Sequence, residues 1–225
     1  MSKLLVPLLF LLPTAGLAQS DFELSGGAEI QAYLGFPEAA GNAPTGAWPL
    51  VVVMGGGPGS EGIASGAFSS VGQEFIRRGW AVVAPVSPNG QSFWGDNAEK
   101  VRQLISVIKA REAVDKGPVL LVGVSNGGIS ALEIASRHPQ EYLGVVAVPA
   151  IASDASQLHF PQNFPVYLRI GSNDRLAWNT RFDTTVQTLS EAGAKVDALL
   201  LEGFPHTFPL DWPSLEPWLA TIRPR

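Results

Sequence analysis

Val119-Leu120-Leu121-Val122-Gly123-Val124-Ser125-Asn126-Gly127-Gly128 takes the chain from an aliphatic run to a serine set between glycines. From Gly128 to Arg137 the apolar residues then recur with helical period. A short, wholly aliphatic run is the pattern of a strand buried on both faces. Turning from such a strand into a helix within a few residues forces Ser125 into a strained backbone and exposes its hydroxyl at the strand tip. Gly123 and Gly127 remove side chains that would collide across the turn. The helix start then directs free N–H groups, and the positive end of the helix dipole, at whatever bonds to Ser125. A plain glycine-rich turn could carry the same letters. The strand–turn–helix context separates the two readings, and it is present here.

The flanking sequence repeats the theme. Leu50–Met54, Trp80–Ala84, Leu143–Val148 and Val166–Ile170 are further apolar runs, and Ala194–Leu201 is a sixth strand candidate. Helix-period segments lie between them at Ala67–Arg78, Ala98–Val114, Gly128–Arg137 and Arg181–Ala192. Strands alternating with helices predict a mostly parallel sheet with helices on both faces. Asp21–Phe36, weakly alternating around Gly26-Gly27, predicts a hairpin ahead of it, and Ala39–Pro49 is turn-rich. There is no internal repeat and no linker, so residues 19–225 read as one domain. Residues 149–165, broken by Pro149, Pro161 and Pro165, leave no room for a lid.

With its Gly-Val-Ser-Asn-Gly-Gly wording, the chain resembles the α/β-hydrolase superfamily, in the style of small lidless serine esterases. It is similar to carboxylesterases and dienelactone-hydrolase-like members, and its elbow to those of feruloyl esterases and polyhydroxybutyrate depolymerases. Dienelactone hydrolases proper use a cysteine nucleophile, which this chain does not contain. The similarity runs from about Trp48 to the C-terminus. It implies an α/β-hydrolase fold without a cap domain and a triad in the chain order Ser, Asp/Glu, His.

Of the three histidines, His138 closes the helix after Ser125, where a cation complements the dipole. His159 lies in the Pro-flanked loop. His206, in Gly203-Phe204-Pro205-His206-Thr207-Phe208, follows the last strand, where the superfamily places its base. For the acid, Asp174 in Ile170-Gly171-Ser172-Asn173-Asp174 is favoured over Asp154, which follows the preceding strand. Met54-Gly55-Gly56-Gly57-Pro58-Gly59-Ser60 resembles the His-Gly-Gly-Pro-Gly loop of proline iminopeptidases and the His-Gly-Gly-Gly loop of lipases. Met54 or Gly55 stands where those families have histidine. The resemblance implies an oxyanion hole made by the N–H of Gly56 or Gly57 with that of Asn126. Among the aromatics near the expected rim, Trp94, Trp178 and Phe208 are the candidates for substrate binding, beside Phe93, Phe204 and Trp212.

The expected function is a secreted serine hydrolase that cleaves small carboxylic esters through an acyl-enzyme, with no metal or organic cofactor implied. A peptidase and a non-catalytic binding protein on the same fold are the alternatives. Composition narrows the field. At 46% hydrophobic and 16% charged residues the chain is no disordered polymer. A net charge of −5 without a basic run makes nucleic acid or an anionic membrane a poor partner. The absence of cysteine removes disulfides, thiolate metal sites and cysteine nucleophiles. Met1–Ala18, with Lys3, the apolar Leu4–Leu12 and Gly16-Leu17-Ala18, reads as a signal peptide cut before Gln19. The run is too short to span a bilayer, so an exported chain without a stable membrane anchor is expected, periplasmic or extracellular. No obligate protein partner is evident.

Overall fold

The aliphatic runs become strands. In the computed structural model, which describes residues 19–38 and 47–223, these are β1 (Gln19–Glu23), β2 (Glu29–Gly35), β3 (Leu50–Met54), β4 (Ala81–Pro85), β5 (Val119–Gly123), β6 (Tyr142–Ala147), β7 (Phe164–Gly171) and β8 (Ala194–Leu201). The expected signal segment and most of the turn-rich stretch before Trp48 lie outside the described residues. One sheet runs β1-β2-β4-β3-β5-β6-β7-β8. The expected hairpin is β1 and β2, which join β4 antiparallel; every later neighbour pair is parallel.

The helices are α1 (Glu61–Ala67), α2 (Gln73–Arg77), α3 (Asp96–Lys109), α4 (Asn126–Arg137), α5 (Phe182–Glu191) and α6 (Trp212–Ile222). Side chains alternate between the two faces of each strand, which makes two cores. Leu50, Val52 and Met54 of β3 pack with Leu104 of α3, Leu132 of α4 and Leu189 of α5. Val51 and Val53 face Ala64 of α1, Phe75 of α2 and Leu215 of α6 on the opposite side. Strands β3, β4 and β5 are buried along their whole length, as their lack of alternation requires.

Two helices depart from their expected limits. The one expected from Ala67 starts at Glu61, and five π-helical residues, Phe68–Gly72, connect α1 to α2. Glycines at 62 and 66 weaken the apolar period there, while Ser60 in extended backbone and Glu61 in the first turn mark the true start. The helix expected to reach Val114 ends at Lys109, because Val114 turns back to bridge with Trp48.

The β5–α4 turn places the last strand residue against the first turn of the helix. A Cβ added at Gly123 would lie 2.2 Å from the carbonyl oxygen of Gly127 and 2.4 Å from its carbon, both backbone atoms. Gly123→Ala should therefore destabilise the chain by about 2 kcal/mol or more, as overpacking against a fixed backbone does. A urea unfolding midpoint equal to wild type would contradict this packing.

Candidate active site

Ser125 stands between β5 and α4 with φ 57° and ψ −123°, a left-handed backbone rare outside glycine. That conformation is held by the close approaches at Gly123 and Gly127. A Cβ on Gly127 would lie 2.2 Å from the Met54 carbonyl oxygen and 2.5 Å from that of Gly55. The Ser125 N–H donates to the Pro149 carbonyl at 2.9 Å, which fixes the serine from the β6 side. Its hydroxyl faces a pocket at the C-terminal edge of the sheet, where crevices of open α/β sheets take ligands.

The other two groups arrive from the ends of β7 and β8, and the loops carrying them are stitched together. Ser172 N–H donates to the Leu201 carbonyl at 2.9 Å, and Asn173 N–H to the Phe204 carbonyl at 2.9 Å. Ser172 Oγ accepts from Gly203 N–H at 2.8 Å, and Asn173 Nδ2 donates to the Gly203 carbonyl at 3.2 Å. Gly171 has no side chain to keep the loops apart. These contacts bring Asp174 beneath His206, whose Nδ1 lies 2.7 Å from Asp174 Oδ2. His206 Nε2 lies 2.9 Å from Ser125 Oγ. The second oxygen of Asp174 accepts the Leu176 N–H at 2.7 Å, so both carboxylate oxygens are bonded on a side chain with no exposure. Trp178 meets the imidazole edge-on, with ring centroids 4.9 Å apart and planes at 87°. The histidine ring is thus held in plane by its neighbours and leaves one nitrogen for the serine.

The remaining candidates fall as follows. Asp154 is exposed and caps the turn Ala155–Gln157, its carboxylate accepting from the Ser156 N–H at 2.9 Å and hydroxyl at 2.6 Å. Those bonds hold its carboxyl below the ordinary aspartate range, and they give it a structural place that its sequence had not shown. His159 is exposed, and His138 closes α4. Gly56 lies against Ser125: a Cβ there would be 3.1 Å from that of the serine. The Gly56 and Gly57 N–H groups find no acceptor among the described residues. The Asn126 N–H, first in its helix, has no carbonyl behind it within the helix.

These groups surround a pocket of about 580 Å³ with Ile63, Val71, Leu176, Trp178 and Phe208 on its walls. Of the three aromatic candidates, Trp178 and Phe208 line this pocket, and Trp94 lines a neighbouring groove across the oxyanion loop. Sequence reasoning missed the stitching residues Ser172 and Asn173, although both stand in the polar turn that flags Asp174. It also missed Ser92, which donates to the Gly57 carbonyl at 2.6 Å; nothing local marks that contact, since 35 residues separate the two.

A family model described as "Putative esterase" matches residues 100–223. The match contains Ser125, Asp174 and His206, and begins after the oxyanion loop. No curated protein matches the chain. Among solved structures it is similar to Thermogutta terrifontis esterase 2 phosphonylated by cyclosarin, at 14% identity and TM-score 0.67, covering 92% of each chain. A phospholipase/carboxylesterase from Dyadobacter fermentans is similar at 18% identity and TM-score 0.59, over 82% of this chain and 92% of that one. Porphyromonas gingivalis dipeptidyl peptidase 4 is similar at 14% identity and TM-score 0.66 over 91% of this chain, but the chain spans only 34% of its length. At these identities the likenesses establish the fold.

The geometry makes one position decisive. A Cβ on Gly171 would lie 2.2 Å from the Pro205 carbonyl oxygen and 2.3 Å from that of Phe204, both in the loop that carries His206. Gly171→Ala should displace that loop and lower kcat on a soluble ester by about 100-fold, the usual penalty of an ångström-scale misplacement. Wild-type kcat in a folded variant would show that the loop contact does not position the histidine.

Proposed function

Since the chain belongs to the Esterase family and has the α/β-hydrolase fold, we propose that it hydrolyses carboxylic esters by Ser125 nucleophilic attack and an acyl-enzyme intermediate. The observation that carries this reading is the unbroken hydrogen-bond line from Ser125 Oγ through His206 to Asp174, with distances of 2.9 and 2.7 Å. As the serine oxygen bonds to the ester carbonyl carbon, His206 Nε2 takes its proton. Asp174 holds the Nδ1 proton in place and stabilises the imidazolium that forms, without itself being protonated. The carbonyl oxygen becomes an oxyanion beside the Asn126 N–H and that of Gly56 or Gly57, donors that need no reorganisation as charge develops. The proton on Nε2 passes to the departing alcohol as the C–O bond breaks, leaving the acyl group on Ser125. Water, deprotonated by the same nitrogen, attacks the acyl carbon, and the second tetrahedral intermediate releases the acid and regenerates the serine.

The apolar walls around His206 suit an ester with an apolar group next to the reacting carbonyl. The segment after β6 offers one short turn, Ala155–Gln157, and no helical cap of the kind that selects a peptide amine. This favours esters over the peptidase alternative. We further propose export of the chain, on the strength of the leader-like start alone.

Three substitutions test the assignment. Ser125→Ala should lower kcat by about 10⁴–10⁶ and abolish labelling by a fluorophosphonate, because the three groups act as a unit; undiminished labelling would remove Ser125 from the role. Asp174→Asn should lower kcat by about 10⁴ with little change in KM, since an amide favours the wrong histidine tautomer. Asp154→Asn should stay within about tenfold of wild type, as a surface substitution outside the triad does. The reverse order of the two Asp variants, with both shown to be folded, would transfer the acid role to Asp154.

A further inference from the structure

Across the oxyanion loop from the catalytic pocket lies a groove of about 980 Å³, formed by the segment after β4 and the start of α3. Gly57 and Asn126 line both cavities, so a group bound in the groove sits beside the reacting carbonyl. The two cavities differ in chemistry. Whereas the catalytic pocket is walled mainly by aliphatic and aromatic side chains, the groove presents Asn89, Gln91, Asp96 and Lys100 around Trp94.

The segment that shapes the groove is stiff. Ser87 N–H donates to the Gly59 carbonyl at 2.8 Å, Ser92 N–H to that of Pro58 at 3.0 Å, and Ser92 Oγ to that of Gly57 at 2.6 Å. Asn97 Nδ2 holds the carbonyls of Pro88 and Ser92 at 3.0 and 2.9 Å. Ser87, Ser92 and Asn97 are all buried, as is the whole Phe93 side chain. Asn89 and Ser92 are kept at φ 61° and 56°, conformations that cost about 1–3 kcal/mol each and persist only where the surroundings over-determine them. On this fixed segment Trp94 turns outward and is 45% exposed, directly after the fully buried Phe93.

We propose that the groove binds a neutral polyhydroxylated part of the ester substrate, a sugar ring, with Trp94 as its stacking face. The inference rests on the ester-hydrolase reading above and adds the substrate class. A sugar ring has an apolar C–H face that lies against an indole and a rim of hydroxyls that both donate and accept. The Asn89 and Gln91 amides also carry donors and acceptors together. Asp96 and Lys100, one helical turn apart, leave the lining without excess charge, so neither an anion nor a cation is favoured. An alkyl chain would desolvate these polar groups without bonding them. The ring could belong to the alcohol or to the acid half of the ester; both present the same face and hydroxyls.

Three substrates separate these cases: ethyl acetate, 6-O-acetylglucose with the ring on the alcohol, and the methyl ester of glucuronic acid with the ring on the acid. Wild type should prefer one of the sugar esters over ethyl acetate by tenfold or more in kcat/KM. Trp94→Ala should lower that value by about tenfold through KM, in the range of losing one stacked ring, and leave ethyl acetate within about twofold. Trp94→Phe should keep most of the preference, and Gln91→Ala should lose part of it. The ester that responds identifies the half that carries the ring. Hydrolysis by wild type without a sugar preference, or an equal effect of Trp94→Ala on all three esters, would overturn the proposal.

Binding is read independently of turnover. Ser125→Ala titrated with each sugar ester should show quenching of tryptophan fluorescence that is lost in the Ser125→Ala/Trp94→Ala double variant. Titration curves unaffected by the Trp94 change would also overturn the proposal. A wild-type protein that hydrolyses none of the three esters and takes no fluorophosphonate label, yet shows Trp94-dependent quenching, would refute the ester-hydrolase reading and leave the sugar site standing.

Discussion

The lack of a Cβ at Gly123 and Gly127 is the constraint on which the rest of the site depends. With side chains at those positions the strand end, the helix start and the tip of the neighbouring strand could not occupy their present places, since added atoms would fall within 2.2 Å of backbone carbonyl oxygens. Their absence lets the chain reverse at Ser125, and the reversal leaves the serine in a left-handed conformation. Such a backbone costs about 1–3 kcal/mol. It is offset by the burial that the reversal makes possible, with β5 fully enclosed and α4 packing Ala131, Leu132, Ile134 and Ala135 against the sheet. The strain and the function have one origin. A relaxed serine would lie along the strand and point into the core.

Ser125 at the tip of β5 meets His206 only because a second pair of loops is held still beside it, and here the sheet order matters. β6, β7 and β8 follow β5 on one side, so the β7 and β8 loops open toward Ser125 while β3 and β4 stand on the other side. The β7 and β8 ends are joined in register down to Gly171 and Leu201, and the loops beyond continue the pairing through Ser172 and Asn173. Asp174 and His206 thus belong to one hydrogen-bonded unit. Burial of Asp174 among bonded donors fixes its orientation, and the indole of Trp178, packed perpendicular to the imidazole, limits its rotation.

On the other side of the nucleophile the oxyanion loop is fixed by a different device. Ser92 Oγ and Asn126 Nδ2 both donate to the Gly57 carbonyl, at 2.6 and 3.2 Å. A peptide whose carbonyl is held by two donors has its orientation set before any substrate arrives, which is the condition for electrostatic stabilisation without reorganisation. The same bonds couple the shape of the polar groove to that of the catalytic pocket. Gly57 and Asn126 form a wall shared by the apolar and the polar cavity.

Periodicity and local spacing were enough to read the strands, the helices after β5 and β7, the elbow and the candidate status of Ser125, because each is written within ten or so adjacent residues. Asp174 and His206 became candidates through the chain order that the superfamily resemblance implies. Aliphatic runs mark buried strands wherever they occur, and Gly-x-Ser-x-Gly marks a reversal wherever it joins a strand to a helix. What the sequence by itself left open was every choice that depends on which loop lies beside which. Asp154 and Asp174 both follow apolar strands; only the pairing of the β7 and β8 ends puts one under His206 and leaves the other capping a turn. Trp94, Trp178 and Phe208 read alike along the chain, yet the oxyanion loop places the first in a different cavity from the other two. The start of α1 was hidden because its glycines blur the period, and its place is set by packing of Ala64 and Ala67 on the sheet. The contacts that complete the site join Ser125 to His206 across 81 positions and Asp174 to His206 across 32, and at such separations residue spacing carries no distance: the sheet order does.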